Sequence, residues 1–147
     1  IYNNCIPQID VFLENDYTKE EMKMIEETRK ILEIPELKVS ATCVRVPVLN
    51  SHSECIDVQL ESEFNIDDVK LLLAKSQSIA LLDDPIREIY PLAAFATEKD
   101  DVFVGRVRRD FSVENGLHLW VVADNIRKGA ATNAIQILEY LCNKQNI

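Results

Sequence analysis

Residues Leu117 to Ala123 read Leu-His-Leu-Trp-Val-Val-Ala, apolar at nearly every position. A short run of this β-branched and aromatic character predicts a strand buried on both faces, so something must cover each side of its sheet. Asn115-Gly116 just before it reads as a turn, and Val102 to Asp110 as the preceding strand. This part of the chain is therefore expected to form the interior of a sheet.

The remaining elements are read from period and punctuation. Thr18 to Glu33 predicts a helix: Thr18 can cap it, Glu21 completes a capping box, and Pro35 stops it. Met22, Ile25 and Leu32 would face inward, with Glu20, Lys23, Glu27 and Lys30 on another side. Val39 to Val48 alternates, which predicts a half-buried strand with Thr42, Val44, Val46 and Val48 opposite Cys43 and Arg45. A loop at Asn50-Ser51-His52-Ser53 leads to a strand carrying Ile56, Val58 and Leu60. Asn65 caps a helix from Ile66 to about Lys75 that buries Ile66, Val69 and Leu73. Ile79 to Leu82 reads as a short strand, and Gly129 to Asn143 as a last helix with Ala130, Ala134, Ile137, Leu138 and Leu141 in one stripe. The order αββαβββα indicates an α+β domain over 1–147, a mixed and largely antiparallel sheet covered by helices.

Composition removes several function classes. A formal charge of −9, from 25 acidic and 16 basic residues, repels a phosphate backbone, so nucleic acid is not an expected partner. No apolar run approaches a bilayer's thickness and no signal pattern opens the chain, so a soluble, cytoplasmic protein is expected. Four scattered cysteines and two histidines show no metal-ligand spacing, so no metal is expected.

Three places can carry chemistry. Arg45 has a forked guanidinium suited to a carboxylate, and His52, seven residues on, can give or take a proton. The plainer reading is an ion pair at a sheet edge and a histidine bonded to its own turn. Glu20 and Lys23 could receive an ammonium and an anion; the plainer reading is a solvated stripe with Glu27 and Lys30. The tract Asp124-Asn125-Ile126-Arg127-Lys128-Gly129-Ala130-Ala131 turns from a strand end into a helix start, where backbone N–H groups attract anions. It is not a dinucleotide fingerprint, and close helix packing explains its small residues equally well.

Taken together the tracts are more specific. Ile6-Pro7-Gln8-Ile9-Asp10, Tyr17-Thr18-Lys19-Glu20-Glu21-Met22-Lys23 and Glu27 to Leu32 are followed by Ser40-Ala41-Thr42-Cys43-Val44-Arg45-Val46-Pro47-Val48 and His52-Ser53-Glu54. Val104-Gly105-Arg106, Trp120 to Asn125, Lys128-Gly129-Ala130-Ala131 and Asn133 complete the set. In order and coverage the chain resembles the C-terminal, catalytic and dimerisation portion of aspartate-semialdehyde dehydrogenase.

That resemblance implies the C-terminal fold of the glyceraldehyde-phosphate dehydrogenase-like family and an NADPH-dependent conversion of aspartyl 4-phosphate to aspartate 4-semialdehyde, toward lysine, methionine and threonine. By position His52 matches the acid/base histidine, Arg45 the arginine on the substrate α-carboxylate, Glu20 the glutamate on the amino group, and Lys23 the lysine on phosphate. Asn125 matches the amide that meets the NADP nicotinamide. The resemblance also implies a homodimer. The family's glycine-rich nucleotide motif and its Asn-Cys nucleophile tract are not found in these 147 residues. The chain alone is therefore expected to be inactive and to bind NADP weakly, and its last helix to pack on the nucleotide-binding half. The alternative is a non-catalytic dimerisation module derived from the same family.

Overall fold

In the computed structural model residues 1–145 are described, and they form two compact units, Ile1–Pro47 and a second beginning at Val48.

The first unit is built on one helix, α1 (Lys19–Leu32). Its start is a reciprocal capping box: the Glu21 N–H donates to the Thr18 hydroxyl, and the Thr18 N–H donates to the Glu21 carboxylate at 2.7 Å. Its end is set by Glu33, whose left-handed φ of 57° turns the chain out of the helix before Pro35. Ile25 is buried and Met22 half-buried, as the period predicts. Leu32, expected inward, is exposed, because the extended chain that packs on α1 meets its first turns and not its last.

That extended chain corrects the expected strand over Val39 to Val48. Arg45 exchanges both backbone bonds with Ile6, at 2.8 and 3.0 Å, and this isolated bridge is the segment's entire β pairing. Alternation selects an extended backbone, but a strand also needs a neighbour along its length to take its N–H and C=O groups. The face polarity is reversed too: Cys43 is buried, while Val44, Val46 and Val48 are exposed.

The second unit holds a four-stranded sheet in the order β1-β4-β3-β2. Strands β1 (His52–Gln59), β4 (Gly116–Ala123) and β3 (Val102–Asp110) pair antiparallel, and β2 (Ile79–Leu81) joins β3 in parallel. The sheet is mixed and mainly antiparallel, as expected, with one strand fewer. His52, expected in a loop, opens β1 opposite Ala123; its backbone continues the ladder, which a reading of the polar tract 50–53 does not reveal. Helix α2 (Ile66–Lys75), capped by Asn65, lays Ile66, Val69 and Leu73 on Val104, Val107 and Leu117. On the other face Phe103 and Val122 pack against the short helix α3 (Ala93–Ala96). β4 is thus buried at Leu117 on one face and at Val122 on the other, with Leu119 and Val121 half-buried.

A bulge in β3 makes this packing possible. The register shifts between Gly105 and Arg108, and Arg106 takes a left-handed φ of 54°. The extra residue puts Val107 on the same face as Val104, where a regular strand would place Arg106. Asp83, whose side chain is 2% exposed, holds the bulge: one oxygen accepts the Arg106 N–H at 2.8 Å and the other lies 2.9 Å from Lys70 Nζ on α2.

The last helix, α4 (Thr132–Gln145), begins three residues later than expected because Arg127–Ala131 form a π-helical turn. Asp100 secures this turn, taking two bonds of 2.8 Å from the Arg127 guanidinium and one of 2.7 Å from the Thr132 hydroxyl. The stripe of Ile137, Leu138 and Leu141 is exposed, as the sequence anticipates. Among the described residues no helix is long and apolar enough to cross a membrane.

Two outcomes follow from these contacts. A Cβ on Gly105 would lie 2.1 Å from the Leu82 carbonyl oxygen and 2.5 Å from Pro91 Cδ. Gly105→Ala should therefore cost about 2 kcal/mol or more in urea unfolding, since backbone must move to relieve it. The Arg127 and Thr132 bonds hold the Asp100 carboxyl at a pKa of about 2, below its ordinary 3.8. A depressed carboxyl contributes stability that is present above its unfolded pKa and lost as pH falls through the folded one. Asp100→Asn should thus flatten the acid limb of the stability curve between pH 3.8 and about 2; an unchanged limb would refute the clip.

Candidate functional site

Each unit gathers part of the expected residue set. In the first, Glu20 and Lys23 stand one turn apart on α1, and Lys23 Nζ lies 3.2 Å from Glu20 Oε1. The Glu20 carboxylate, with Glu27 adding a smaller share, raises the Lys23 pKa and keeps its ammonium charged. Both are solvent-accessible, so the pair is a loose one that an incoming charged ligand can exchange. The plainer reading of a merely solvated stripe explains the pair but not what lies beside it.

Between those two residues sits Glu21, 7% exposed. Its Oε2 accepts the Thr18 N–H, and its Oε1 accepts the Cys43 N–H at 2.9 Å. These backbone donors, Thr18 first, hold its carboxyl below the usual range and keep it ionised. Two residues beyond Cys43 is Arg45, exposed, its backbone fastened to Ile6. Among the described residues no carboxylate forms an ion pair with Arg45, so the edge ion pair considered for it is not what the fold makes. The sequence shows Glu21 as a capping residue; its second oxygen reaches a residue 22 positions on, for which local spacing holds no signal.

In the second unit β1 and β4 bring His52 and Asn125 to the same end of the sheet. His52 pairs with Ala123, and Asn125 lies two residues past Ala123. His52 is exposed and Asn125 half-buried. The turn carrying Asn125 is held by Asp124, whose buried carboxylate accepts from the N–H groups of Glu98 at 2.8 Å, Ile126 at 2.9 Å and Arg127 at 3.2 Å. The Glu98 bond comes first among the causes that lower its pKa. The Ile126 and Arg127 bonds are local and legible in an Asp just before a helical turn; the Glu98 bond is not.

Chemically, then, the first unit presents one carboxylate, one ammonium and one guanidinium, and the second an imidazole and a carboxamide. Gly129, in the turn after Asn125, leaves open space: a Cβ there would meet nothing nearer than Asn125 Cβ at 3.9 Å.

The family model described as semialdehyde dehydrogenase, dimerisation domain, matches residues 1–128. The chain is 51% identical over 139 residues to an aspartate-semialdehyde dehydrogenase of Bacillus subtilis, covering 94% of this chain and 40% of that protein. A solved aspartate semialdehyde dehydrogenase II from Vibrio cholerae superposes with a TM-score of 0.90 at 49% identity, over 97% of this chain and 42% of the other. The enzyme from Candida albicans, solved with NADP, gives 0.76 at 31% identity, over 100% and 46%. The chain thus spans about 40% of the length of the curated relatives it matches. With a family-model match over most of its length, the chain belongs to the semialdehyde dehydrogenase family, of which it carries the dimerisation domain.

Proposed function

We propose that this chain supplies the substrate-holding and proton-handling part of an NADP-dependent aspartate-semialdehyde dehydrogenase, a cytoplasmic enzyme of the aspartate pathway. The substrate, aspartyl 4-phosphate, carries a carboxylate, an ammonium and a phosphoryl group. In this reading Arg45 takes the α-carboxylate through its planar fork, Glu20 the ammonium, and Lys23 the phosphate. The observation that carries the reading is the arrangement in the first unit: an exchangeable Glu20–Lys23 pair on a helix whose next residue is tied to the Arg45 segment.

His52 is the acid/base group. It takes the proton of a cysteine thiol from another part of the enzyme as that sulfur attacks the substrate carbon, and handles the proton of the thiohemiacetal hydroxyl. Phosphate is the leaving group. The cofactor, when bound, would supply hydride as NADPH and accept it as NADP. The chain's three glycines stand far apart and form no pyrophosphate cradle, so its residues fit that cofactor only through the Asn125 carboxamide beside the open turn at Gly129. The dinucleotide cradle and the nucleophile accordingly belong to the remainder of the enzyme. Residues 1–147 form the dimerisation and substrate-binding domain in this reading, and its final helix, about residues 129–143 by sequence, would lay its exposed apolar stripe on that nucleotide-binding half.

The match to a dimerisation domain favours a second role, homodimer formation through the sheet. The chain by itself would then act as a pairing module without catalysis.

Phosphate-dependent reduction of NADP by aspartate semialdehyde, measured on the full-length enzyme, tests the first role. His52→Ala should lower kcat by about 10²–10⁴-fold with little change in KM. Arg45→Leu should raise KM for the semialdehyde while leaving KM for NADP alone; an unmoved substrate KM would exclude Arg45 as the carboxylate clamp. For the second role, sedimentation of this chain should give a dimer mass at micromolar concentration, and a monomer there would rule out pairing through this domain alone.

A further inference from the structure

Glu21 belongs to neither of the sets just described, yet it is the one carboxylate of α1 that is buried. A capping box needs only one of its oxygens. The other spans to the Cys43 N–H, on a segment with no strand neighbour to hold it in place except the Ile6 bridge at Arg45. We propose that Glu21 is a positioning residue for the reaction: its carboxylate sets the distance between the Glu20–Lys23 pair and the Arg45 guanidinium.

The proposal rests on the substrate-binding reading above and deepens it. Glu20, Glu21 and Lys23 share one rigid helical turn, so the position of Glu21 fixes its neighbours. From Cys43 to Arg45 is a step of two residues, and Arg45's own N–H and C=O are both bonded to Ile6. The guanidinium is therefore carried by a backbone pinned at Cys43 and at Arg45 itself. Without the Glu21 bond the Cys43 N–H loses its carboxylate acceptor, and the thiol's contact with Met24 Sδ at 3.5 Å does not fix the backbone as that bond does. A carboxylate suits the task because it accepts from two N–H groups at once and carries no donor. An amide in the same place keeps one acceptor oxygen and turns its NH₂ toward the second N–H, leaving that donor unmatched. Those N–H groups, Thr18 first and Cys43 second, lower the Glu21 pKa and so favour the ionised acceptor that the clamp needs.

The test uses the full-length enzyme and two variants. Glu21→Gln should raise KM for aspartate semialdehyde about tenfold or more, with KM for NADP unchanged, as expected when charged contacts are misplaced by a fraction of an ångström. Thr18→Val removes the hydroxyl that caps the helix but leaves both bonds accepted by Glu21 intact; it should lower Tm without moving substrate KM. A Glu21→Gln enzyme with unchanged substrate KM overturns the clamp, as does a Thr18→Val enzyme whose KM rises equally, since that would be general loosening of the helix. If Glu21→Gln shifts KM while Arg45→Leu does not, the substrate reading fails and the clamp with it; if Arg45→Leu shifts KM and Glu21→Gln does not, the clamp fails alone. Hydrogen exchange in the unmutated enzyme gives an independent check: the Cys43 amide should be protected, and rapid exchange there would refute the bond.

Discussion

Strand β4 is bonded along both edges, to β1 and to β3, and its residues alternate between two cores. Its two neighbours in the sheet are located by it. β1 places His52 against its last residue, and the bulge in β3 turns Val107 toward the face that α2 covers. The bulge itself needs a buried Asp83, a left-handed Arg106 and a glycine at 105 pressed against the Leu82 carbonyl. Such a device is kept when regular pairing would point the wrong side chain at the core.

Buried carboxylates fasten three irregular places in the chain. Glu21 fastens the extended segment at Cys43, Asp124 fastens the strand-to-helix turn, and Asp83 fastens the bulge. In each case backbone N–H groups that no ladder would satisfy donate to a side-chain oxygen. The cost of leaving such a donor unmatched in the interior explains why an acidic residue, normally solvent-facing, is tolerated there. The segments so fastened carry Arg45, Asn125 and Arg106.

Much of the fold could be read in advance, for identifiable reasons. Helices α1 and α2 announce themselves by caps and period, and β3 and β4 by β-branched runs around Asn115-Gly116. The stretch from Val39 to Val48 misled because alternation reports the local conformation and not the presence of a partner strand. Leu32 misled because a helical stripe is buried only as far as something packs against it. Of the five candidate site residues, Glu20 and Lys23 could be paired from spacing alone. That His52 and Asn125 reach one end of a sheet depends on the pairing of His52 with Ala123, 71 residues further on, which no local pattern encodes.

By itself the sequence determined helices α1 and α2, strands β3 and β4, the capping of α1 and the spacing of Glu20 and Lys23, since these depend on residues within a few positions of one another. The tertiary structure alone decided which strands are neighbours, which face of residues 39–48 is buried, and that Glu21 spends its second oxygen on Cys43. Those outcomes are set by the competition of distant donors and apolar faces for a limited interior, which no stretch of chain can report before it has folded.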